Sequence, residues 1–191
     1  MKRFAFDRIG SPIGEILIAT DGAAEDAALV ALDFDDCEAR MRKLLRKRFG
    51  AFDLEPVRDA GGVARRLRRY LGGELDVLDA IRVQANGSAF QERAWAALRE
   101  IRPGKTASYG EQANRLGQPS AARAVGLANS LNPVAIVVPC HRVIGADGML
   151  TGFAGGIERK RWLLTHERAA VATGSAPADD GGSLSLPFEP Q

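Results

Sequence analysis

The chain has 191 residues, 46% of them apolar, which is enough for one domain or two small domains with a hydrophobic core. No apolar span of 18 residues and no signal-peptide pattern is present, so we expect a cytoplasmic protein and no membrane partner. The two cysteines and two histidines have neither the number of a disulfide framework nor the spacing of a zinc site, so no metal site is expected.

The net charge of +2 is unevenly distributed along the chain. Residues 1–85 are neutral overall, residues 86–167 carry +4 and residues 168–191 carry −2. A positive field on the second segment is compatible with nucleic acid as a partner. The densest basic run, residues 40–50, lies in the neutral segment with apolar residues at helical spacing, which favours an amphipathic helix with a solvated basic face.

The first segment reads as an α/β unit. Two apolar β-type runs, within 6–22 and 27–34, are followed by helical patterns at 36–49 and about 62–71 and by a short strand-like return near 81–85. The pattern predicts a small sheet with helices, and we assign residues 1–85 to this N-terminal α/β domain.

The second segment is predominantly helical. Ser88 with Gln91, and Ser108 with Glu111, form two Ser-x-x-Gln/Glu capping boxes, each at the start of a helical pattern. After a glycine-containing turn, Ser120 is positioned to cap a third helix. Two short helices joined by such a turn predict a helix-turn-helix, although many helical proteins share that pattern.

The predicted fold is therefore an α/β N-terminal unit followed by a mainly α domain, residues 86–168, that contains a helix-turn-helix. Residues 169–191 are rich in Ala, Gly, Ser, Pro and Asp, and this composition predicts a disordered tail.

The third helical pattern is made almost entirely of small residues. Only one large polar side chain, Arg123, interrupts the set Ala121, Ala122, Ala124, Gly126 and Ala128. Small residues permit close packing against neighbouring helices, and they also permit close approach to a DNA groove with one arginine reaching out. The residues alone leave both interpretations open.

Cys140 follows an apolar β-like run, residues 134–138, that ends at Pro139. A thiol at the end of a strand becomes nucleophilic when nearby groups lower its pKa, and His141 is a candidate base. Neighbouring residues of an extended chain point to opposite sides, so a tight turn or a bridging water is required. Glu167 is a candidate to orient the histidine. A buried, inert cysteine is equally compatible with this spacing.

The stretches "SYGEQANRLGQPSAARAVG" and "NPVAIVVPCHRVIGADGMLTGFAGGIERKRWLLTHE" resemble the O6-alkylguanine-DNA alkyltransferases, also called methylated-DNA–protein-cysteine methyltransferases. The resemblance runs from about Phe90 to Glu167 as an ordered series of motifs, and it extends more weakly into "SPIGEILIA". An ordered series of this length favours a nucleophilic role for Cys140.

The resemblance implies stoichiometric direct-reversal DNA repair. Cys140 would take the alkyl group from O6 of a damaged guanine and keep it as a thioether, without a cofactor and with one turnover per molecule; O4-alkylthymine remains open as a second substrate. The resemblance implies that His141 takes the thiol proton through a water and that Glu167 holds the histidine. Asn132 would fix the active-site turn, and Tyr109 would donate a hydrogen bond or proton to the guanine ring. The flipped base would be read by main-chain groups of Cys140, Val143 and Ala154.

The resemblance also implies binding to double-stranded DNA through the minor groove. Ala121 and Ala122 would permit close approach, Arg123 would occupy the space left by the extruded nucleotide, and Gln118 and Gln91 would contact the DNA backbone. A monomer is expected, and cooperative binding along DNA remains open. Phe153 stands where the family often has a tyrosine, so the pocket lacks a hydroxyl at that position.

Two other functional classes are weighed against this hypothesis. A relative that only marks lesions would lack the nucleophile, whereas Cys140 is present. A thiol hydrolase using Cys140 and His141 would need an oxyanion site and repeated turnover, and it would leave the paired helices unexplained.

Overall fold

A computed structural model describes residues 1–169; the tail predicted at 169–191 therefore lies, apart from Ala169, outside the described residues. Residues 1–169 contain six strands: β1 (Lys2–Ile9), β2 (Ile16–Thr20), β3 (Leu29–Phe34), β4 (Phe52–Pro56), β5 (Ala107–Ser108) and β6 (Val143–Ile144). Six α-helices accompany them: α1 (Glu38–Phe49), α2 (Val63–Leu71), α3 (Ala89–Arg99), α4 (Tyr109–Arg115), α5 (Ala122–Ser130) and α6 (Ile157–His166). The predicted class, an α/β unit followed by a mainly helical part, is confirmed.

The N-terminal sheet has the strand order β3-β2-β1-β4, with antiparallel pairs except for the parallel β1–β4 pair. Its central strand β2 is buried on both faces, which explains the apolar run of its first four residues in "ILIAT". Ile16 and Ile18 face the large core shared with the C-terminal part, whereas Leu17 packs in the smaller core under α1. The sheet thus lies between the small core under α1 and the larger shared core.

Strand β4 was missed by the sequence analysis. Its sequence "FDLEP" is short and largely exposed, so it lacks the apolar run used to recognise β2 and β3. It pairs with β1 at the edge of the sheet, from Lys2–Phe52 to Phe6–Pro56. An edge strand with acidic side chains and a terminal proline is protected from further pairing, and the same features hide it from a hydropathy pattern.

Both predicted capping boxes are present. The side chains of Ser88 and Ser108 each accept a hydrogen bond from the backbone N–H three residues later. In return, the side-chain oxygens of Gln91 and Glu111 accept from the backbone N–H of the respective serine. The predicted cap of the third helix is wrong: α5 begins at Ala122, Ala121 occupies the N-cap position, and no side chain caps it. The turn after α4 is one residue longer than expected, so Ser120 lies outside the helix.

The predicted β-like run at 134–138 is also wrong. Only Val134 forms a bridge, with Leu32 of β3, and the chain then turns, with Ile136 in the left-handed region at a φ of 70°. All five residues are buried, so the run is apolar because it is enclosed on every side. Likewise, the strand-like segment near 81–85 forms a single bridge between Val83 and Leu29.

The two parts share one hydrophobic core. The largest buried cluster joins residues of the sheet, such as Ile18 and Phe34, to residues of the helical part, such as Leu98 and Leu163. The N-terminal sheet therefore supports the helical part directly. No helix within residues 1–169 is long and apolar enough to cross a membrane.

Candidate functional site

Cys140 lies on a tight turn at the edge of the sheet. Leu32 N–H donates to Pro133 O at 2.9 Å, and Ala135 N–H donates to Leu32 O at 3.1 Å, so β3 holds the segment that leads to the cysteine. A single 3-10 turn, Cys140–Arg142, follows Pro139. This is the tight turn that neighbouring cysteine and histidine side chains require to act on the same side of the chain.

Asn132 ties this turn together from inside. Its Oδ1 accepts from Val134 N–H at 3.1 Å, and its Nδ2 donates to Val138 O at 2.7 Å and to Cys140 Sγ at 3.2 Å. The side chain is buried, so the three bonds are protected from water. A single amide therefore holds both the backbone of the loop and the position of the sulfur.

The sulfur of Cys140 faces a cavity of about 280 Å³. The walls come from α4, α5 and the loop before α6, and they are lined by Tyr109, Gly126, Asn129, Ser130, Gly152, Phe153 and Ala154. This space beside a buried thiol is of the kind that accommodates a planar aromatic ligand, with apolar walls and few polar groups.

The environment of Cys140 disfavours its ionised form. Burial raises the pKa of the thiol; the hydrogen bond from Asn132 and the positive charges of Lys160 and Arg40 oppose that rise without overcoming it. The resting group is consequently a protonated thiol, and a base must take its proton when the sulfur reacts.

His141 and Glu167 form a buried pair behind the cysteine. His141 Nε2 lies 3.1 Å from Glu167 Oε1, and its Nδ1 is buried without a hydrogen-bond partner among residues 1–169. Burial lowers the pKa of His141 despite the opposing effect of Glu167, so the ring is neutral near pH 7. A neutral imidazole that donates through Nε2 has a free lone pair on Nδ1 for accepting a proton.

Glu167 is held by more than the histidine. Arg142 donates to both carboxylate oxygens, from Nη2 at 2.8 Å and from Nε at 2.9 Å, and Tyr70 Oη donates to Oε1 at 2.6 Å. Burial alone would raise the pKa of this carboxyl, but the hydrogen bond with His141 and the hydrogen bonds and charge of Arg142 outweigh burial and hold the pKa well below its usual range. Glu167 therefore stays ionised in the folded protein.

Tyr70 was not identified from the sequence. It lies on α2 of the N-terminal part, fully buried, and contacts a carboxylate 97 positions further along the chain. Burial, followed by the charge and hydrogen bond of Glu167, raises the pKa of its phenol strongly. No local pattern connects positions 70 and 167, so only the packing of α2 against α6 reveals the contact.

Lys160 is a second buried polar residue that the sequence analysis missed. Its ammonium donates to Val143 O at 2.6 Å and to Thr151 O at 2.7 Å, and burial lowers its pKa to about 8. Its spacing to the buried Leu163 and Leu164, three and four residues later, places it on the inner face of α6. That spacing was the available signal.

The structure brings most of the other predicted base-contacting residues to the cavity. Tyr109 is the first residue of α4, and its hydroxyl accepts from Thr151 Oγ1 at 3.3 Å. Phe153 packs edge-on against His141, with ring centroids 6.5 Å apart, and Ala154 lines the same wall. Val143 is buried just beyond the cysteine turn and does not line the cavity; its carbonyl accepts from Lys160.

The predicted DNA-contacting residues on α5 share a surface beside the cavity. Ala121 and Ala122 form the start of the helix, and Arg123 is exposed. Leu127, one turn after Arg123, is 63% exposed, which is unusual for leucine. The glutamines lie away from the cavity: Gln118 is exposed in the turn before α5, and Gln91 caps α3 with its Oε1.

No group of three or more His, Cys, Asp or Glu side chains suited to a metal ion occurs in the described part of the chain. The second cysteine, Cys37, is half-buried at the start of α1, and its Sγ lies 3.7 Å from Ala154 O.

The chain is similar to known proteins over most of its length. A family model described as the DNA-binding domain of 6-O-methylguanine DNA methyltransferase matches residues 89–169. A methylated-DNA–protein-cysteine methyltransferase of Salmonella typhimurium is 42% identical over 169 residues, which are 87% of this chain and 97% of that protein. A relative of the same name from Mycolicibacterium paratuberculosis is 55% identical over 114 residues, which are 60% of this chain and 68% of that protein.

Solved structures show the same likeness in three dimensions. The crystal structure of Mycobacterium tuberculosis OGT in complex with DNA is 42% identical in sequence and has a TM-score of 0.70; the match covers 87% of this chain and 92% of that chain. The O6-methylguanine-DNA methyltransferase of Pyrococcus kodakaraensis is 26% identical, with a TM-score of 0.65, and covers 86% of this chain and 98% of its own.

Proposed function

Because this chain belongs to the family of methylated-DNA–protein-cysteine methyltransferases, we infer that it repairs alkylated DNA by direct reversal. It is a methyltransferase that acts on DNA and accepts the alkyl group on its own cysteine. The observation that supports the assignment to particular residues is that Cys140 lines a cavity of about 280 Å³, while the next residue, His141, is buried with its Nε2 3.1 Å from Glu167 Oε1.

The proposed reaction is a single displacement. The sulfur of Cys140 attacks the alkyl carbon on O6 of guanine, the S–C bond forms, the C–O6 bond breaks, and its electron pair goes to the purine. The thiol proton passes to His141 Nδ1, directly or through a water, while the purine takes up a proton and becomes unmodified guanine. The net change is the exchange of the thiol hydrogen for the alkyl group, so each molecule reacts once.

Three other residues assist this step in our proposal. Glu167, held ionised by Arg142, stabilises the imidazolium that forms. Tyr109 donates from its hydroxyl to the guanine ring, which makes guanine a better leaving group. Asn132 keeps the sulfur and the loop in register, while main-chain groups of Cys140 and Ala154 read the edge of the base.

The proposed route of the base into the cavity is flipping out of the duplex. A buried thiol at the wall of a recessed cavity cannot reach O6 within a stacked base pair, so the nucleotide must be extruded at a cost of about a few kcal/mol. We propose that α5 enters the minor groove, that Ala121 and Ala122 permit its approach, and that Arg123 fills the gap. Gln118 and Gln91 are proposed backbone contacts.

The carbonyl of Val143 is also proposed as a reader of the base. Lys160 occupies one side of this carbonyl and Val143 does not line the cavity, so contact with the guanine requires the second lone pair of the oxygen and a rearrangement of the cavity wall.

The remaining assignments concern the molecule as a whole. We propose a cytoplasmic monomer, with domains at 1–85 and 86–168, that acts on O6-alkylguanine. The proposal leaves open whether the protein also acts on O4-alkylthymine and whether it binds cooperatively along DNA.

Peptide-level mass spectrometry tests the proposal. After mixing with duplex DNA that bears one O6-methylguanine, we expect one methyl group per protein, on the Cys140 peptide. The variant Cys140→Ala should gain none yet still bind the duplex, and Cys37→Ala should react like the unmodified chain. Methylation of another residue, or repeated turnover on one protein molecule, would contradict the assignment of Cys140.

A further inference from the structure

The basic face of α1, defined here as Lys43, Arg46 and Lys47, has no role in the proposed reaction. Helix α1 carries six basic side chains and one acidic side chain, Glu38. Arg42 pairs with Glu38, and Arg40 pairs with Asp33. The basic face itself forms no ion pair among residues 1–169.

The charges of this face repel one another. Lys43 and Lys47 lie four residues apart on one side of the helix, a spacing at which like charges destabilise it. The helix dipole favours cations in the last turn and so accounts for Arg46 and Lys47, but Lys43 lies before that turn. Binding of an anion would remove the repulsion.

The basic face adjoins the surface of α5 that is proposed to meet DNA. Arg40 Nη2 donates to Ser130 O at 2.8 Å and to Asn132 O at 3.0 Å, so α1 lies directly beside the C-terminal end of α5. On α5, Arg123, Leu127 and Ser130 form an exposed row that leads to this end. Lys43 and Lys47 follow Arg40 by three and seven residues, and therefore continue along α1 from the point of contact.

A groove connects Lys47 to a second predicted DNA contact. It has a volume of about 460 Å³ and runs between α1 and the start of α3, where its walls include Lys47, Ser88, Gln91 and Leu131. Lys47 also belongs to the outer side of α1 together with Lys43. The exposed row of α5, the start of α3 and the basic face of α1 thus form one continuous surface.

We propose that Lys43 and Lys47 bind phosphates of the duplex that α5 enters, on the flank beyond Ser130. Phosphate is the partner that fits, since it supplies regularly spaced negative charge to a row of unpaired cations. The proposal rests on the proposed function in one respect, since it assumes that α5 enters the minor groove of the duplex. The N-terminal part would then contribute to DNA affinity as well as supporting the helical part.

The salt dependence of binding tests this proposal. The double variant Lys43→Ala/Lys47→Ala and the full-length unmodified chain are titrated with an undamaged 24-base-pair duplex over a range of salt concentrations. Loss of two phosphate contacts should reduce the slope of log K against log salt by about 1.8. The matched control, Arg58→Ala/Arg68→Ala, removes two exposed charges away from this surface and should leave the slope unchanged.

Duplex geometry locates the contact. For this test the duplex carries one O6-methylguanine, which fixes the α5 site, and both proteins carry Cys140→Ala so that no transfer occurs. The difference between the protein with Lys43→Ala/Lys47→Ala and the protein without it should disappear when the duplex is shortened on one side of the lesion and persist when it is shortened on the other. An unchanged slope would overturn the proposal, and so would an equal change in the control, which would mean a general effect of net charge. A loss of cooperativity at an unchanged slope would also overturn it, in favour of a contact between protein molecules.

Methyl transfer from free O6-methylguanine base separates this proposal from the proposed function. The double variant should react with the free base at the rate of the unmodified chain. If the unmodified chain transferred no methyl group at all, the proposed function would fail, whereas the change in salt slope would still decide whether α1 binds DNA.

Discussion

Glu167 is the residue on which most of the site depends. It accepts hydrogen bonds from Tyr70 and from two nitrogens of Arg142, and it is paired with His141, all in the interior. A carboxylate with these partners is stable only while each partner is present, because removing one charge of a buried pair leaves the other unsolvated. Its pKa is lowered in the folded protein, so its contribution to stability depends on pH.

Replacing Glu167 by Gln should destabilise the protein by about 3–5 kcal/mol at pH 7, since the charge of Arg142 would lose its partner. The pKa of a glutamate in an unfolded chain is about 4.3. With a lower pKa in the folded state, the ionised form stabilises the native protein above that pH, and the benefit is lost as pH falls below it. Denaturant unfolding at pH 7 and near pH 3.5 measures the free energy of unfolding of the unmodified protein and of the variant. The difference between these two free energies should be smaller at the lower pH.

The same variant should transfer methyl groups more slowly than the unmodified protein at pH 7, because the imidazolium of His141 would lose its counter-charge. An equal loss of stability at both pH values would show that the carboxylate is not held ionised in the native state.

At the scale of elements, hydrogen bonds from α3 and α4 hold α5 in place. Trp95 Nε1 of α3 donates to Ala128 O at 2.9 Å, and the amides of Gln112 and Asn129 bond to each other between α4 and α5. These bonds fix the small-residue helix against its neighbours, as the packing interpretation of the sequence requires. They leave Arg123 exposed, so the two interpretations of α5 apply to opposite faces of one helix.

We expect Arg123→Ala to slow methyl transfer from duplex DNA by about 10-fold to 100-fold, because base flipping would lose the side chain that fills the gap. Transfer from free O6-methylguanine base, which needs no flipping, should be unchanged. Single-turnover rates on duplex DNA and on the free base measure the difference between the two effects, with Arg68→Ala as a control for loss of charge. Similar losses on both substrates would assign Arg123 to the chemistry or to the fold instead.

At the scale of the whole molecule, the N-terminal part reaches the candidate site. Tyr70 of α2 bonds to Glu167, Arg40 of α1 bonds to the carbonyl of Asn132, and β3 holds the segment before Cys140 through Leu32. Arg159 of α6 also contacts the N-terminal part, donating to Ile13 O at 2.7 Å. The site is therefore built at the junction of both parts.

Removing the hydroxyl of Tyr70 tests this junction. Tyr70→Phe should lower the free energy of unfolding by about 1.5–3 kcal/mol, the range for a hydrogen bond to a charged group. Glu167 would then act more strongly on His141 and raise its pKa. Because the neutral imidazole is the proposed base, the rise of transfer rate with pH should move to higher pH.

Tyr109→Phe is the matched control, since its hydroxyl lies at the cavity and bonds only to Thr151 within the described residues. It should slow transfer with little change in stability. If Tyr70→Phe changed stability without moving the pH profile of transfer, Tyr70 would be a purely structural residue.

The sequence by itself determined the features that depend on neighbouring residues. Capping boxes, helix periods and the buried strand β2 follow from side chains within a few positions of one another, so they could be recognised without a fold. The series of motifs around Cys140 identified the family by resemblance and predicts Cys140 as the nucleophile. The wrong N-cap at Ser120 shows the limit, because the length of one turn depends on how α4 and α5 pack.

Only the tertiary structure decided which distant residues meet. The edge strand β4 needed β1 as a partner, the segment at 134–138 became a turn because Asn132 and β3 hold it, and Tyr70 reached Glu167 across 97 positions. Contacts between such distant positions leave no local period in the sequence, since they arise from packing the sheet against the helical part. The physical reason is burial: a low-dielectric interior makes each unpaired polar group costly, and the fold supplies partners from whichever segments lie nearby.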